Sequence, residues 1–297
     1  MILDRRKFLQ AVAGAGAAAA LGARELGWAD GKSEPAPGSF DFIFFTDTHI
    51  EPELRAPQGC DECFRKIAGI SSEFAIMGGD HVFDALSVGN ARAKLVYDLY
   101  QKTEQQLQMK LYHVIGNHDL FGVQAKSGVS PADPAYGKKM YEQRIGGKTY
   151  YSFDRRGYHF AVLDSVQPTA DRMWEARIDD PQVGWLADDL KMVRPGAPVI
   201  VVTHVPLVTA FTTYATLDEP NAKYNTLTVA NTPQVLKVLE GHNVIAVLQG
   251  HTHVNEIVSY QGRQYITSGA VCGNWWRGPR MGTPEGFTVV SLREGKI

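Results

Sequence analysis

Five short polar clusters, each following an apolar strand-like run, constrain this chain more than any other feature. Asp47-Thr48-His49 follows Phe42-Ile43-Phe44-Phe45, and Gly78-Gly79-Asp80 follows Phe74-Ala75-Ile76-Met77. Gly116-Asn117-His118-Asp119 follows Leu111-Tyr112-His113-Val114-Ile115, and His204 follows Val199-Ile200-Val201-Val202. Gly250-His251-Thr252-His253 follows Val244-Ile245-Ala246-Val247-Leu248. Side chains at the ends of several strands of one sheet converge in space although they are far apart in sequence. Asp, Asn and His are the ligand types that first-row divalent metals take. The pattern therefore reads as a two-metal hydrolytic site.

Between the clusters, strand and helix patterns alternate. Phe40 to Phe45, Phe74 to Met77 and Leu111 to Ile115 read as strands. Helices are expected over Cys60 to Ser71, with Phe64, Ile67 and Ile70 at helical spacing, and over Ala91 to Gln108, with Leu95, Leu99 and Leu107. This alternation predicts a largely parallel sheet with helices on its faces. Tyr150 to Phe153 and Tyr158 to Leu163 read as a hairpin around Arg155-Arg156-Gly157, and Asp164 to Pro181 as polar and irregular. Val183 to Met192 is a further helix, Val199 to Thr203 a strand, and Thr232 to Leu239 a helix with Thr232 as N-cap and Pro233 at its first position. Beyond Val244 the pattern is nearly all β: Val254 to Tyr260, Arg263 to Ser268 and Phe287 to Leu292. Phe121 to Gly147 and Leu207 to Ala230 are loop-rich insertions.

The chain has 297 residues, 44% hydrophobic and 21% charged, enough for one large core. A formal net charge of -2 gives no basic field, so nucleic acid is not an expected partner. The three cysteines are too few for a disulfide framework. Arg5-Arg6 before the bland Ala/Gly run from Ala11 to Ala23 resembles a Tat export signal. That run is too weakly apolar for a stable membrane anchor, which needs roughly 20 apolar residues. The expected organisation is a signal peptide over 1–29, a linker over 30–39 and one catalytic domain over 40–297, exported to the periplasm.

The clusters can be read for chemistry without a family. A tight turn after a strand can present Asp47 and His49 to one ion. Asp80 follows two glycines and has two oxygens, so it can bridge two ions. Asn117 offers a neutral carbonyl oxygen. His204, His251 and His253 offer imidazoles, and the alternation in His251-Thr252-His253 predicts both rings on one side of an extended segment. Two ions roughly 3.5–4 Å apart clamp a phosphoester oxygen and generate hydroxide near neutral pH. His118 remains, suited to stabilise charge on phosphate or to protonate the leaving oxygen, with Asp119 to orient it.

Asp47-x-His49, Gly79-Asp80, Gly116-Asn117-His118-Asp119, His204 and Gly250-His251-x-His253 resemble, in order, the motif series of the calcineurin-like metallophosphoesterases. The resemblance implies a four-layer αββα sandwich, with two mixed β-sheets flanked by helices. It implies one metal at Asp47, His49, Asp80 and His253, and a second at Asp80, Asn117, His204 and His251, with Asp80 as bridge. The ions would be divalent or trivalent: Fe, Mn, Zn or Co suit mixed O/N ligands. The substrate implied is a small phosphoester attacked by a metal-bound hydroxide, with diesters slightly favoured. A looser likeness connects the Asn-His-Asp motif, the strand Tyr158 to Asp164 and the run Ser268 to Pro279 to cyclic-nucleotide and glycerophosphodiester phosphodiesterases and to exported bacterial members. Phosphomonoesters, or pyrophosphate-type bonds in nucleotide or lipid precursors, are the alternative substrates, and a non-enzymatic binding protein on the same fold is the remote alternative. Asp84 lies one position later than the family's commonest spacing, so it is left out of the site. No tyrosine accompanies the ligands, which argues against a purple acid phosphatase.

Other residues have ordinary explanations. His113, His159 and His242 read as structural or surface residues, and His81 as pointing away from the ligands. Cys60-x-x-Cys63 reads as free thiols or a local disulfide. Trp275 and Arg277, in a glycine-rich stretch with Trp276, are candidate substrate-binding residues: an indole to stack on a flat group and a guanidinium to hold phosphate. The competing explanation is a surface loop that packs its indoles on the domain. Tyr214 and Tyr224 are weaker candidates of the same kind.

Overall fold

The structure is a computed structural model, and it describes residues 37–215 and 223–297. The expected signal peptide and most of the linker lie outside the described residues. The strands are β1 (Phe40–Phe45), β2 (Ala75–Met77), β3 (Leu111–His113), β4 (Tyr151–Arg155), β5 (Tyr158–Val162), β6 (Val166–Pro168), β7 (Trp174–Ala176), β8 (Val199–Val202), β9 (Val244–Gln249), β10 (Glu256–Tyr260), β11 (Arg263–Thr267) and β12 (Thr288–Leu292). They form a four-stranded sheet in the order β12-β1-β2-β3 and a six-stranded sheet in the order β10-β11-β9-β8-β5-β4. The short pair β6-β7 stands apart from both.

The alternation from Phe40 to Ile115 predicted a largely parallel sheet, and β1, β2 and β3 are parallel neighbours; the two mixed sheets are those that the resemblance implied. Each sheet has a parallel centre, β1-β2-β3 or β11-β9-β8-β5, edged by antiparallel strands. Period-two burial explains why two sheets stack. Phe42 and Phe44 of β1 join Phe74, Phe160, Ile200, Val202 and Leu248 in the layer between the sheets. Phe42 stacks on Phe74 at 4.9 Å and meets Phe160 edge-on at 5.6 Å. The intervening Ile43 and Phe45 pack with residues of the helices. Strands buried on both faces read as continuous apolar runs, as these do.

The helices close the outer faces, giving α-β-β-α layers. Helix α1 (Ala56–Ala68) starts four residues before the predicted Cys60, because Pro57 is tolerated in a first turn. Helix α2 (Asn90–Glu104) buries Ala93, Val96, Tyr97 and Tyr100, while Leu95 is 49% exposed. Of the three predicted leucines only Leu95 points outward; Leu99 packs partly against the core, and Leu107, beyond the helix end, is buried in it. The buried set has its own i, i+3, i+4, i+7 spacing and carries two large rings. Short turns α3 (Lys139–Tyr141) and α5 (Phe211–Tyr214) sit in the two insertions. Helix α4 (Asp180–Met192) is capped by Asp179, whose carboxylate accepts from the Gln182 N–H at 3.1 Å. In α6 (Thr232–Val238) the cap position is Asn231, one residue before the predicted Thr232. The Thr232 hydroxyl instead donates to the Val229 carbonyl at 2.7 Å. The β4-β5 hairpin turns on Arg156 and Gly157 alone, both left-handed (φ 47° and 82°), with Arg155 paired to Tyr158.

Candidate metal centre

All five polar clusters lie at the carboxyl ends of parallel strands: β1, β2 and β3 of one sheet, β8 and β9 of the other. Asp80 Oδ2 is 3.5 Å from His49 Nε2 and 3.1 Å from His204 Nε2. His49 Nε2 is also 3.1 Å from His253 Nε2 and 3.7 Å from Asp47 Oδ1, which is 3.3 Å from His253 Nε2. Asp80, His204 and His251 form a second group around the same carboxylate. Asp80 Oδ1 is occupied by the His118 N–H at 2.8 Å, so Oδ2 is the oxygen left between the groups.

These separations fit metal coordination. Ligands held about 2.0–2.2 Å from one ion stand roughly 3.0–3.6 Å apart in tetrahedral or octahedral arrangement. Asp47 Oδ1 and Asn117 Oδ1 are buried with no hydrogen-bond partner. A buried polar atom left unpaired costs about 1–3 kcal/mol, so such a cluster is explained by cations. The rings are fixed from behind. His204 Nδ1 donates to the Gly78 carbonyl at 2.8 Å, His253 Nδ1 to Gly273 at 2.6 Å and His251 Nε2 to Thr226 at 2.8 Å. Such bonds choose the nitrogen that faces a metal. Asp47 Oδ2 accepts from the Thr46 hydroxyl at 2.6 Å and the His251 N–H at 3.0 Å, freeing Oδ1.

Charge follows from this crowding. Burial pushes Asp47 and Asp80 up, yet the imidazoles around them outweigh it and hold both carboxyls below their usual range. Burial disfavours the charged ring of His204, but Asp80, Asp47 and the Gly78 carbonyl raise it to about 9. Burial and the charge of His204 lower His251 to about 4.

The backbone is strained where the groups converge. Asp47, His49, Asp80, His251 and His253 have φ of 55°, 39°, 55°, 72° and 61°. The expectation of an extended His251-Thr252-His253 is corrected accordingly. The segment is a turn, and its rings diverge: His251 meets His204 at 5.1 Å and His253 meets His49 at 5.0 Å. Gly116 is required for close approach, because a Cβ there would lie 2.2 Å from Asp80 N and Oδ1.

His118 stands edge-on to His49 at 4.6 Å, and its Nδ1 is tied to the Phe83 carbonyl. Asp119 does not orient it, which corrects the expected role. The Asp119 carboxylate accepts from the N–H groups of Asp80, His81 and Gly116 at 3.1, 3.0 and 2.9 Å and pairs with His81 Nδ1 at 2.9 Å. It clamps the β2 and β3 loops together. His81 faces away from the cluster and continues to His113 at 3.2 Å. Asp84 accepts from Ser87 within its own turn.

Trp275 lies 4.6 Å from the His253 ring and 6.0 Å from His49. Trp276 packs on the domain, its Nε1–H donating to the His49 carbonyl at 3.0 Å. Arg277 is exposed, with its charge acting on Glu51. The guanidinium near Trp275 is that of Arg280, 5.3 Å from the indole centroid. Sequence reasoning missed Arg280, and also Trp174, which meets His251 edge-on at 5.9 Å from the β6-β7 pair. The tryptophan in a polar stretch was the available signal for the latter. Tyr214 is exposed, and Tyr224 donates to Asp171 at 2.9 Å. Cys60, Cys63 and Cys272 are free thiols, and burial pushes Cys63 up to about 12, so it is not a reactive thiolate.

The model of the calcineurin-like phosphoesterases matches residues 40–255. The chain belongs to that family. As a calcineurin-like phosphoesterase it is a hydrolase of phosphoesters, and its family works with a dinuclear metal centre. Similar folds occur in a dimetal phosphatase from Danio rerio (TM-score 0.60, 16% identity, 86% of this chain and 93% of that chain). They occur also in phosphopantetheinyl hydrolase from Mycobacterium tuberculosis (0.54, 15%, 86% and 96%). Purple acid phosphatase PPD1 from yellow lupin, Lupinus luteus, is a third (0.52, 12%, 86% and 46%). No curated protein matches the chain by sequence. Among the described residues, no helix is long and apolar enough to cross a membrane.

Proposed function

We propose that this phosphoesterase is an exported enzyme that cleaves small phosphodiesters at a dinuclear centre. Asp47, His49, Asp80 and His253 would hold one ion, and Asp80, Asn117, His204 and His251 the other. The observation that carries this reading is the single oxygen Asp80 Oδ2, poised 3.5 Å and 3.1 Å from imidazoles of the two groups. Two bound ions supply Lewis-acid chemistry, polarising phosphoryl oxygen and making water acidic near neutral pH.

The chain's own residues do the rest. Asp47 and Asp80 are kept ionised by the imidazoles around them, so they neutralise cationic charge. His118, held at Nδ1 by the Phe83 carbonyl, keeps Nε2 for a phosphoryl or leaving oxygen; in the imidazolium form it would give that oxygen the Nε2 proton and be left neutral. Trp275 borders the space over His253. Asp119 is a positioning residue: it fixes the loops of Asp80 and Asn117 without touching substrate.

The test is a panel of aryl phosphodiesters and monoesters, assayed with the wild type and His118→Ala. The reading predicts diester turnover above monoester turnover. It also predicts a loss of about 10²–10⁴ in kcat for the variant at unchanged metal content. Equal turnover by His118→Ala would remove the residue from the chemistry. Monoester preference would favour the phosphatase alternative.

A further inference from the structure

We propose that Arg280, with Trp275, selects phosphoesters whose organic group carries a second negative charge. The inference rests on the catalytic reading above and names the substrate class of that same site. The indole of Trp275 is 4.6 Å from the His253 ring, and the Arg280 guanidinium is 5.3 Å from the indole. A cation therefore stands two ring contacts away from the candidate metal centre.

This arrangement is held by a strained frame. Trp275 and Trp276 both have left-handed backbones, φ 50° and 63°, which cost on the order of 1 kcal/mol or more each. Trp276 is anchored to the His49 carbonyl, and its ring fills a notch over Gly59, where a Cβ would lie 2.1 Å from the indole. Arg280 is fixed by reciprocal backbone hydrogen bonds with Thr283, both 2.8 Å. The frame holds the indole and the cation beside the histidines.

Arg280 is also unspent. A guanidinium has five N–H donors in a fork that fits a planar anion. Arg92, Arg144, Arg155, Arg156, Arg177 and Arg293 all pair with carboxylates. Arg280 has one long contact, 3.5 Å to Asn274 Oδ1, and its Nε is buried with no hydrogen-bond partner. A half-buried cation with free donors, stacked on an indole beside a phosphoester site, matches a carboxylate or a second phosphate on the substrate.

The experiment compares alkyl p-nitrophenyl phosphodiesters of matched length that end in carboxylate or in methyl, on the metal-loaded full chain. In the wild type, kcat/KM for the carboxylate ester should exceed that for the methyl ester by about tenfold, the equivalent of about 1.4 kcal/mol. In Arg280→Gln the ratio should fall to about one, with metal content retained, and Arg280→Lys should fall between. Arg65→Gln, on the exposed side of α1, should keep the wild-type ratio. A wild-type ratio near one, or a full ratio in Arg280→Gln, overturns the inference. Hydrolysis of neither ester by wild type carrying both ions overturns the catalytic reading, and this inference with it.

Discussion

At the scale of single residues, protons and metal ions compete for the same imidazoles. His204, raised to about 9 by Asp80 and Asp47, is protonated at neutral pH when no ion is bound. Binding an ion there must release that proton, so metal affinity should rise with pH up to about 9, near tenfold per unit for each proton released. Metal titrations of chelated protein at pH 6, 7 and 8 measure the slope. A flat profile would take His204 out of the ligand set. The candidate ligands were legible because each lies in a polar cluster just beyond an apolar strand. The partners of Asp119 were not, because they depend on how the β2 and β3 loops meet. Arg280 was hidden for a related reason: only the left-handed turn at Trp275 and Trp276 decides which arginine returns to the indole.

At the scale of elements, the glycines before the candidate ligands are where backbone meets side chain. Gly116→Ala would put a methyl group 2.2 Å from Asp80, so the β2 and β3 loops must separate. We expect a stability loss of about 1–3 kcal/mol, with weaker metal binding, read by thermal melts with and without metal. Stability and affinity both at wild-type level would contradict the close packing. Strands were legible here because their apolar runs are buried on both faces. The face of α2 was not, because Tyr97 and Tyr100 bury more surface than Leu95, a choice made by the neighbouring sheet. The β6-β7 pair escaped notice because Val166–Pro168 and Trp174–Ala176 interleave polar residues and proline and lack an apolar run like those of β2 and β3.

At the scale of the whole molecule, two sheets meet so that candidate ligands from both converge. The sequence order of the motifs carried that much. The division into two sheets was not visible in the alternation, since it depends on which strand edges pair. Export remains a separate proposal, carried by Arg5-Arg6 and the Ala/Gly run. Cell fractionation should find the processed chain in the periplasm, and Arg5→Lys with Arg6→Lys should retain it in the cytoplasm. A cytoplasmic wild type would contradict export. Everything proposed for the site depends on two ions held around Asp80. The most direct measurement is metal content and aryl phosphodiester turnover, followed together as metal is returned to chelated protein. Two ions per chain should bind, activity should rise with them, and Asp80→Asn should lose both. Full turnover in metal-free protein, or full metal content and activity in Asp80→Asn, would contradict the two-ion site.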